Sequence, residues 1–224
     1  MKPHLFVAVL LLLATSCLRA DLTLTQKLES PAQPQPMTIV MKVKGDMMRN
    51  DMGTTASTLM DLKSGGVVSL IHSQKAALRM PAELLKMARE AAAQKSAGGG
   101  ATDIKPTGRK ETINGFSCEE YAGTSNGHKI EVWLAKNIPE ATLIQEHLKK
   151  LDATANPAGS ALKQLGIEGL PVRTTIEIPG MGKTTMTLLS IVSNPLPDSD
   201  FKVPAGYSEM QAPVLPSPGA PTAP

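Results

Sequence analysis

Gly182-Lys183-Thr184 follows a strand-like run and carries the residue types with which a nucleotide-binding loop ends. Such a loop needs a further glycine five positions earlier, where bare backbone amides curl round the phosphates, and this chain has Glu177 there, a carboxylate that would repel them. The next segment should be a helix whose N-terminus faces the anion. Instead Thr184, Thr185, Thr187, Ile191 and Val192 are β-branched and Pro195 follows, so the segment reads as a strand entered through a turn at Pro179 to Gly182. Ser160-Ala161-Leu162-Lys163 has the serine and lysine spacing of penicillin-recognising enzymes, but their Ser-Asp-Asn element is missing and Lys183-Thr184-Thr185 only half-matches Lys-Thr-Gly. Cys118 is flanked by Glu119 and Glu120, whose charge disfavours a thiolate, and it alternates with Phe116 as a buried strand residue would. His72, His128 and His147 lie on a strand, a turn and a helix without zinc-ligand spacing. No catalytic set, metal site or cofactor motif emerges from these residues.

Methionine carries more information. Met37, Met41, Met47, Met48, Met52 and Met60 crowd into the first strands, and three roles suit them. They can pack a core, line a site for ligands of variable shape such as acyl chains, or, around Met47, Met48 and Met52, hold Cu(I) through soft thioethers. Arg49 and Asp51 share a strand face and with Asp61 form a polar cluster at a sheet rim, an ion pair of little energetic weight if exposed.

The first twenty residues frame these candidates. Lys2 precedes an apolar run from Leu5 to Ala14 that is too short to span a membrane, the pattern of a secretory signal peptide over 1–20. Ala14-Thr15-Ser16-Cys17 is open to a second reading, a lipobox that would leave Cys17 as an N-terminal lipid anchor. On either reading the chain is exported, to the periplasm or cell envelope. Of 23 basic residues, those left after Lys2 and Arg19 number 21 against 20 acidic ones. With so balanced a charge, and with Phe116, Tyr121, Trp133, Phe201 and Tyr207 the aromatics beyond the signal, nucleic acid is excluded as a partner. Cys118 has no partner in the exported chain, so the fold rests on its apolar core without a disulfide framework.

Two periodicities follow. Leu22, Leu24 and Leu28 alternate with polar residues, as do Met37, Ile39, Met41 and Val43, and short runs through Ile71 separated by glycine turns continue an antiparallel meander. Pro81 then opens a helix with Leu84, Met87, Ala88 and Ala91 as its stripe, ended by Gly98-Gly99-Gly100. A flexible link is expected near 97–109. Strands on either side of Asn126-Gly127 form a hairpin. A second helix is expected near Asn137-Ile138-Pro139-Glu140, with Ile144, Leu148 and Leu151 at helical spacing, and a short helical turn from Ser160 to Leu165. The predicted fold is α+β: one domain over 21–210, a curved antiparallel sheet in a partly closed barrel with two or three helices against one face, then a disordered Pro-rich tail over 211–224.

The segments "VKGDMMRND", Asp61 before a glycine turn, "INGFSCEEY", "IEVWLAKNIP" and "VPAGY" resemble the domain-of-unknown-function 4412 family of secreted bacterial proteins, over most of the chain from Met37 to Tyr207. The residues carrying the resemblance are Gly45, Arg49, Asp51, Gly115, Tyr121, Trp133, Pro204, Gly206 and Tyr207, and it implies no established activity. More distantly, the expected architecture is similar to the lipoprotein-carrier fold, in which a partly closed barrel shelters acyl chains under a helical lid. We therefore expect a non-enzymatic protein that binds a lipid or lipoprotein acyl chain between sheet and helices, with Met37, Ile39, Met41, Val132, Leu134 and Ile176 as the lining. The alternative is an envelope scaffold that binds a protein partner through a sheet edge and the proline-rich tail.

Overall fold

The computed structural model of the chain describes residues 21–96, 102–140, 144, 162, 165–180 and 182–211. Among these residues twelve strands form one sheet: β1 (Leu22–Glu29), β2 (Met37–Lys44), β3 (Met47–Met52), β4 (Ala56–Asp61), β5 (Val67–Ile71), β6 (Ala76–Met80), β7 (Asp103–Ile113), β8 (Phe116–Ser125), β9 (His128–Ala135), β10 (Leu170–Ile178), β11 (Gly182–Val192) and β12 (Ser208–Gln211). Their order is β12-β6-β5-β4-β3-β2-β1-β11-β10-β9-β8-β7. Every pair is antiparallel except β12 with β6, as short turns dictate. The sheet is open, with β12 and β7 at its two edges, which corrects the expected partly closed barrel.

One α-helix, α1 (Ala82–Ser96), is present among the described residues. Two or three helices packed on a face are not supported. Met87 and Ala88 of the α1 stripe are exposed, because they meet no sheet surface that would cover them. Most of the second helix and of the turn near 160–165 lies outside the described residues; of the rest, 137–140 and Leu165 are not helical, while Ile144 and Leu162 are helical and buried. The stretch from Asp103 to 109, expected as the far end of a flexible link, belongs to β7. It looks like a link because only Ile104 and Ile113 of this edge strand are buried, so no alternation marks it.

The sheet is strongly curved. Asn114, in the turn after β7, donates from Nδ2 to the Leu188 carbonyl at 2.8 Å, although three strand-to-strand steps separate β8 from β11, about 14 Å in a flat sheet. A structural irregularity makes this closure feasible. β10 and β11 pair only from Arg173 to Ile178, while a bulge in β10 near Val172 and another in β11 near Leu189 lead the remaining halves away with β9 and β1. Leu188 and Val172 flank the opening and join the largest core cluster, which takes in Leu22, Val43 and Met48 together with Cys118 and Trp133.

The former phosphate-loop candidate is the β10–β11 turn, closing with Ile178 opposite Gly182. Gly182 has φ +83°, and a Cβ there would stand 2.8 Å from Pro31 Cγ. Gly182→Ala is expected to cost about 2 kcal/mol from backbone strain plus this clash, read as a lower urea midpoint at unchanged slope.

Candidate functional site

Strand alternation and register decide which side chains can meet. Met37 stands opposite Leu28, Leu28 opposite Met186, Met186 opposite Thr174 and Thr174 opposite Val132, one lateral row across five strands. Ile39 and Met41 continue on the same face along β2, as do Leu134 along β9 and Ile176 along β10. All six expected lining residues therefore share one sheet face. They divide among three surroundings, for Met41 packs against the main core cluster beside Leu24 and Val43. Val132 and Leu134 are wholly enclosed with Ile104, Tyr121 and Leu162, and Ile176 packs against that cluster half-buried. Ile39 is buried, while Met37 and Met41 are half-buried on β2, and Leu28 between β2 and β11 is half-buried as well. Met186 in the connecting row is exposed.

Polar side chains interrupt this face, Thr174 in the row itself and Gln26 opposite Ile39 among them, and one more is left without a partner. Asn50, paired with Met41 across β2 and β3, has a buried Oδ1 with no hydrogen-bond partner. Its cost makes it an acceptor in want of a donor. The three methionines considered for copper do not converge: register puts Met48 opposite Val43 and Met47 opposite Lys44, so Met47 faces away from Met48 and Met52. No group of three or more His, Cys, Asp or Glu side chains arranged to hold a metal occurs among the described residues.

The opposite face of β2 to β6 is covered by a strap, the chain from Leu196 to Tyr207. Leu196 donates its amide to Asp21 Oδ2 at 2.7 Å, Lys42 Nζ bonds Asp200 Oδ2 at 2.7 Å, and Arg49 Nη1 donates to the Asp200 carbonyl at 2.9 Å. Phe201 is buried, and Val203 and Tyr207 pack over Leu59, Leu70 and Ala77. Beneath the strap runs a polar chain. Arg49 Nε donates to Asp51 Oδ1 at 2.6 Å, Ser57 Oγ lies 2.5 Å from the same oxygen and 2.8 Å from His72 Nε2, and His72 Nδ1 lies 2.5 Å from the Tyr207 hydroxyl.

A serine beside an imidazole invites comparison with a nucleophile and its base, and counting protons argues against it. Ser57 has one proton to give, and the acceptor-only Asp51 carboxylate takes it. Ser57 Oγ then accepts from Arg49 Nη2 and from His72 Nε2, which must carry a proton, leaving Nδ1 to accept from Tyr207. An activated serine needs the reverse, an Nε2 that accepts. Ser57 is also almost wholly buried. The chain of bonds is a latch holding strap to sheet.

Arg49 and Asp51 thus pair as their spacing predicts, but Asp61 stands apart. Its Oδ1 accepts from the Lys63 and Ser64 amides at 2.8 and 3.2 Å and its Oδ2 from the Ser64 hydroxyl at 2.7 Å, fixing the β4–β5 turn. The Ser64 hydroxyl, then the two amides, hold its carboxyl below the ordinary value. Burial raises the Cys118 thiol, which donates to the Phe116 carbonyl at 3.3 Å and is inert in that setting. Sequence reasoning missed Ser57, His72 and Tyr207 as one unit, and also the buried Glu120, which is gripped by Arg109 and Thr107 beside Trp133. No local pattern joins Tyr207 to His72, 135 positions away.

Fold and site together define an open, curved antiparallel-sheet protein with one strapped face and one apolar face. The chain belongs to the DUF4412 family, a domain of unknown function, whose model matches residues 22–207. No curated protein matches it in sequence. Among solved structures it is similar to PNGF-II in its P21 crystal form, at 13% identity and a TM-score of 0.41, covering 86% of this chain and 32% of that one. The chain therefore spans about a third of the length of PNGF-II. It is also similar to the LolA superfamily protein NE2245 from Nitrosomonas europaea (12% identity, TM-score 0.32, 82% of this chain and 89% of that one). A third is a putative outer membrane lipoprotein-sorting protein domain from Vibrio parahaemolyticus (12% identity, TM-score 0.30, again 82% and 89%). No helix among the described residues is long and apolar enough to cross a membrane.

Proposed function

We propose that this is an exported, non-enzymatic protein of the periplasm or cell envelope that holds a lipid or lipoprotein acyl chain against the apolar sheet face. The observation that carries the reading is the row of partly uncovered apolar side chains, Leu28, Met37 and Met186, continuous by register with the filled cluster under Val132 and Leu134. Unbranched methionines adapt to a flexible chain at little cost. Asn50 Oδ1 supplies an acceptor for a hydroxyl or amide near an acyl headgroup. The proton account at Ser57 supports the non-catalytic part.

Native mass spectrometry of gently purified protein should show a bound apolar species, and a fluorescent fatty acid should bind. Met37→Lys is expected to weaken that binding at least tenfold, about 1.4 kcal/mol, while the unfolding midpoint moves little because Met37, half-buried at the start of β2, packs against none of the core clusters. A chain consistently free of ligand and indifferent to the probe overturns the proposal.

A further inference from the structure

Between the strap and β3 to β6, on the face opposite Met37 and Met41, lies a groove of about 660 Å³. Register brings Met47, Leu59, Val68, Arg79 and Glu209 to that face at one end of the strands, and Phe201, Lys202 and Val203 line it from the strap. Its charges cancel. Arg79 and Lys202 stand against Asp61 and Glu209, with Arg79 Nη2 donating to Glu209 Oε1 at 3.0 Å and both Asp61 oxygens spent on the β4–β5 turn. So balanced a lining, apolar through Leu59, Val68, Phe201 and Val203, suits an occupant without charge. The chain itself supplies one at the mouth. β12 runs parallel to β6, with Gln211 opposite Arg79, so the backbone leaves β12 beside Met80 and Pro81, which line the same groove. Residues 212–224, outside the described residues, read APVLPSPGAPTAP and hold no ionisable side chain.

We propose that this groove is the docking site of the chain's own segment 212–217, with Val214 and Leu215 against Leu59, Val68 and Val203. The spans agree. From β12 to β3 are four strand-to-strand steps, about 19 Å in a flat sheet, and six residues in polyproline form cover about 19 Å. Pro213 and Pro216 bring no backbone N–H that burial would leave unpaired, and Phe201 gives the aromatic wall on which proline-bearing extended segments pack. Tethering at Gln211 presents the segment at a roughly millimolar effective concentration, so modest contacts suffice. The docked segment closes the groove to other occupants, and nothing in it depends on the acyl-chain reading of the opposite face.

The test is methyl NMR on the full chain, wild type and Val214→Asp/Leu215→Asp, together with a synthetic peptide of residues 212–224 added in trans. Both substitutions lie past β12, so the sheet keeps its own contacts. The expected result is nuclear Overhauser contact from the Val214 and Leu215 methyls to those of Leu59, Val68 and Val203, unchanged on dilution and abolished in the double variant. The emptied groove of that variant should then take the peptide at least tenfold more tightly than the wild type, whose tethered segment competes. Val214 and Leu215 methyls that touch no groove residue, or that touch Met37 and Met186 on the opposite face, overturn the proposal. Contacts that vanish on dilution also overturn it, for they put the tail of a second copy in the groove, and equal peptide affinity in the two chains does the same by showing no competing segment.

Discussion

Arg109→Ala should lower the stability of the domain by about 3 kcal/mol, more than a change at so exposed a position would ordinarily cost. The reason lies in its partner. Glu120 is 1% exposed on β8, and Arg109 reaches both of its carboxylate oxygens from the neighbouring edge strand. The Thr107 hydroxyl adds a third bond at 2.5 Å. Both donors are aimed by the irregularity between Pro106 and Lys110, where Gly108 takes φ +81° and lets β7 bend over its neighbour. The guanidinium also lies 5.7 Å from the Trp133 ring centroid, which adds a cation–π contribution. Without Arg109 the carboxylate keeps its burial and loses most of its compensation. Glu120→Gln should cost less, and the double variant should cost at least 1 kcal/mol less than the sum of the singles, since neither retains a bare buried charge. Urea unfolding of the four chains gives the cycle directly. An Arg109→Ala loss under 1 kcal/mol would mean that water solvates Glu120 once the arginine is gone.

The same strand shows where sequence reading succeeds and where it stops. β1 and β2 were legible because one face is core and the other solvent, so Leu22 and Leu24, Ile39 and Val43 recur at period two. The Asn126-Gly127 turn was legible because both residues take positive φ, 51° and 79°, which this pair tolerates. Asn114-Gly115 has the same chemistry, at 49° and 86°, yet was not read as a hairpin. The strand before it is an edge, polar on both sides except near its ends, and its proline and glycine imitate a link. For the candidate ligand face, alternation gives the six residues a common side by register and nothing more. It could not tell that Val132 and Leu134 are enclosed while Met37 and Met41 are not, because that depends on what Leu162 and Tyr121 cover from distant positions. The latch was invisible for the same reason: hydroxyl and imidazole partners far apart in sequence leave no periodic trace.

That latch leads to the second large effect, a loss of about 3 kcal/mol on Asp51→Ala. Asp51 Oδ1 is the common acceptor for Arg49 Nε and the Ser57 hydroxyl, and all three side chains are largely covered. Removing it takes from a largely covered guanidinium its one carboxylate in the latch, leaving the bonds to the Asp200 carbonyl and Ser57, and frees the serine proton, which then turns toward His72 Nε2. Two donors cannot share that contact, so the imidazole has to change tautomer and Nδ1 becomes a donor to Tyr207. The strap should loosen at its C-terminal end first, because Tyr207 leads directly into β12, whose Ser208 amide donates to the Lys75 carbonyl at 2.8 Å. Asp51→Asn keeps one acceptor oxygen and should lose roughly half as much, and Tyr207→Phe, which removes a single hydroxyl, about 1 kcal/mol. Hydrogen exchange separates a latch from a merely packed ion pair: in Asp51→Ala the amides of β12 should exchange by local opening at rates well above those of β1 and β2. If protection instead falls equally in all strands, the network stabilises the sheet without holding the strap.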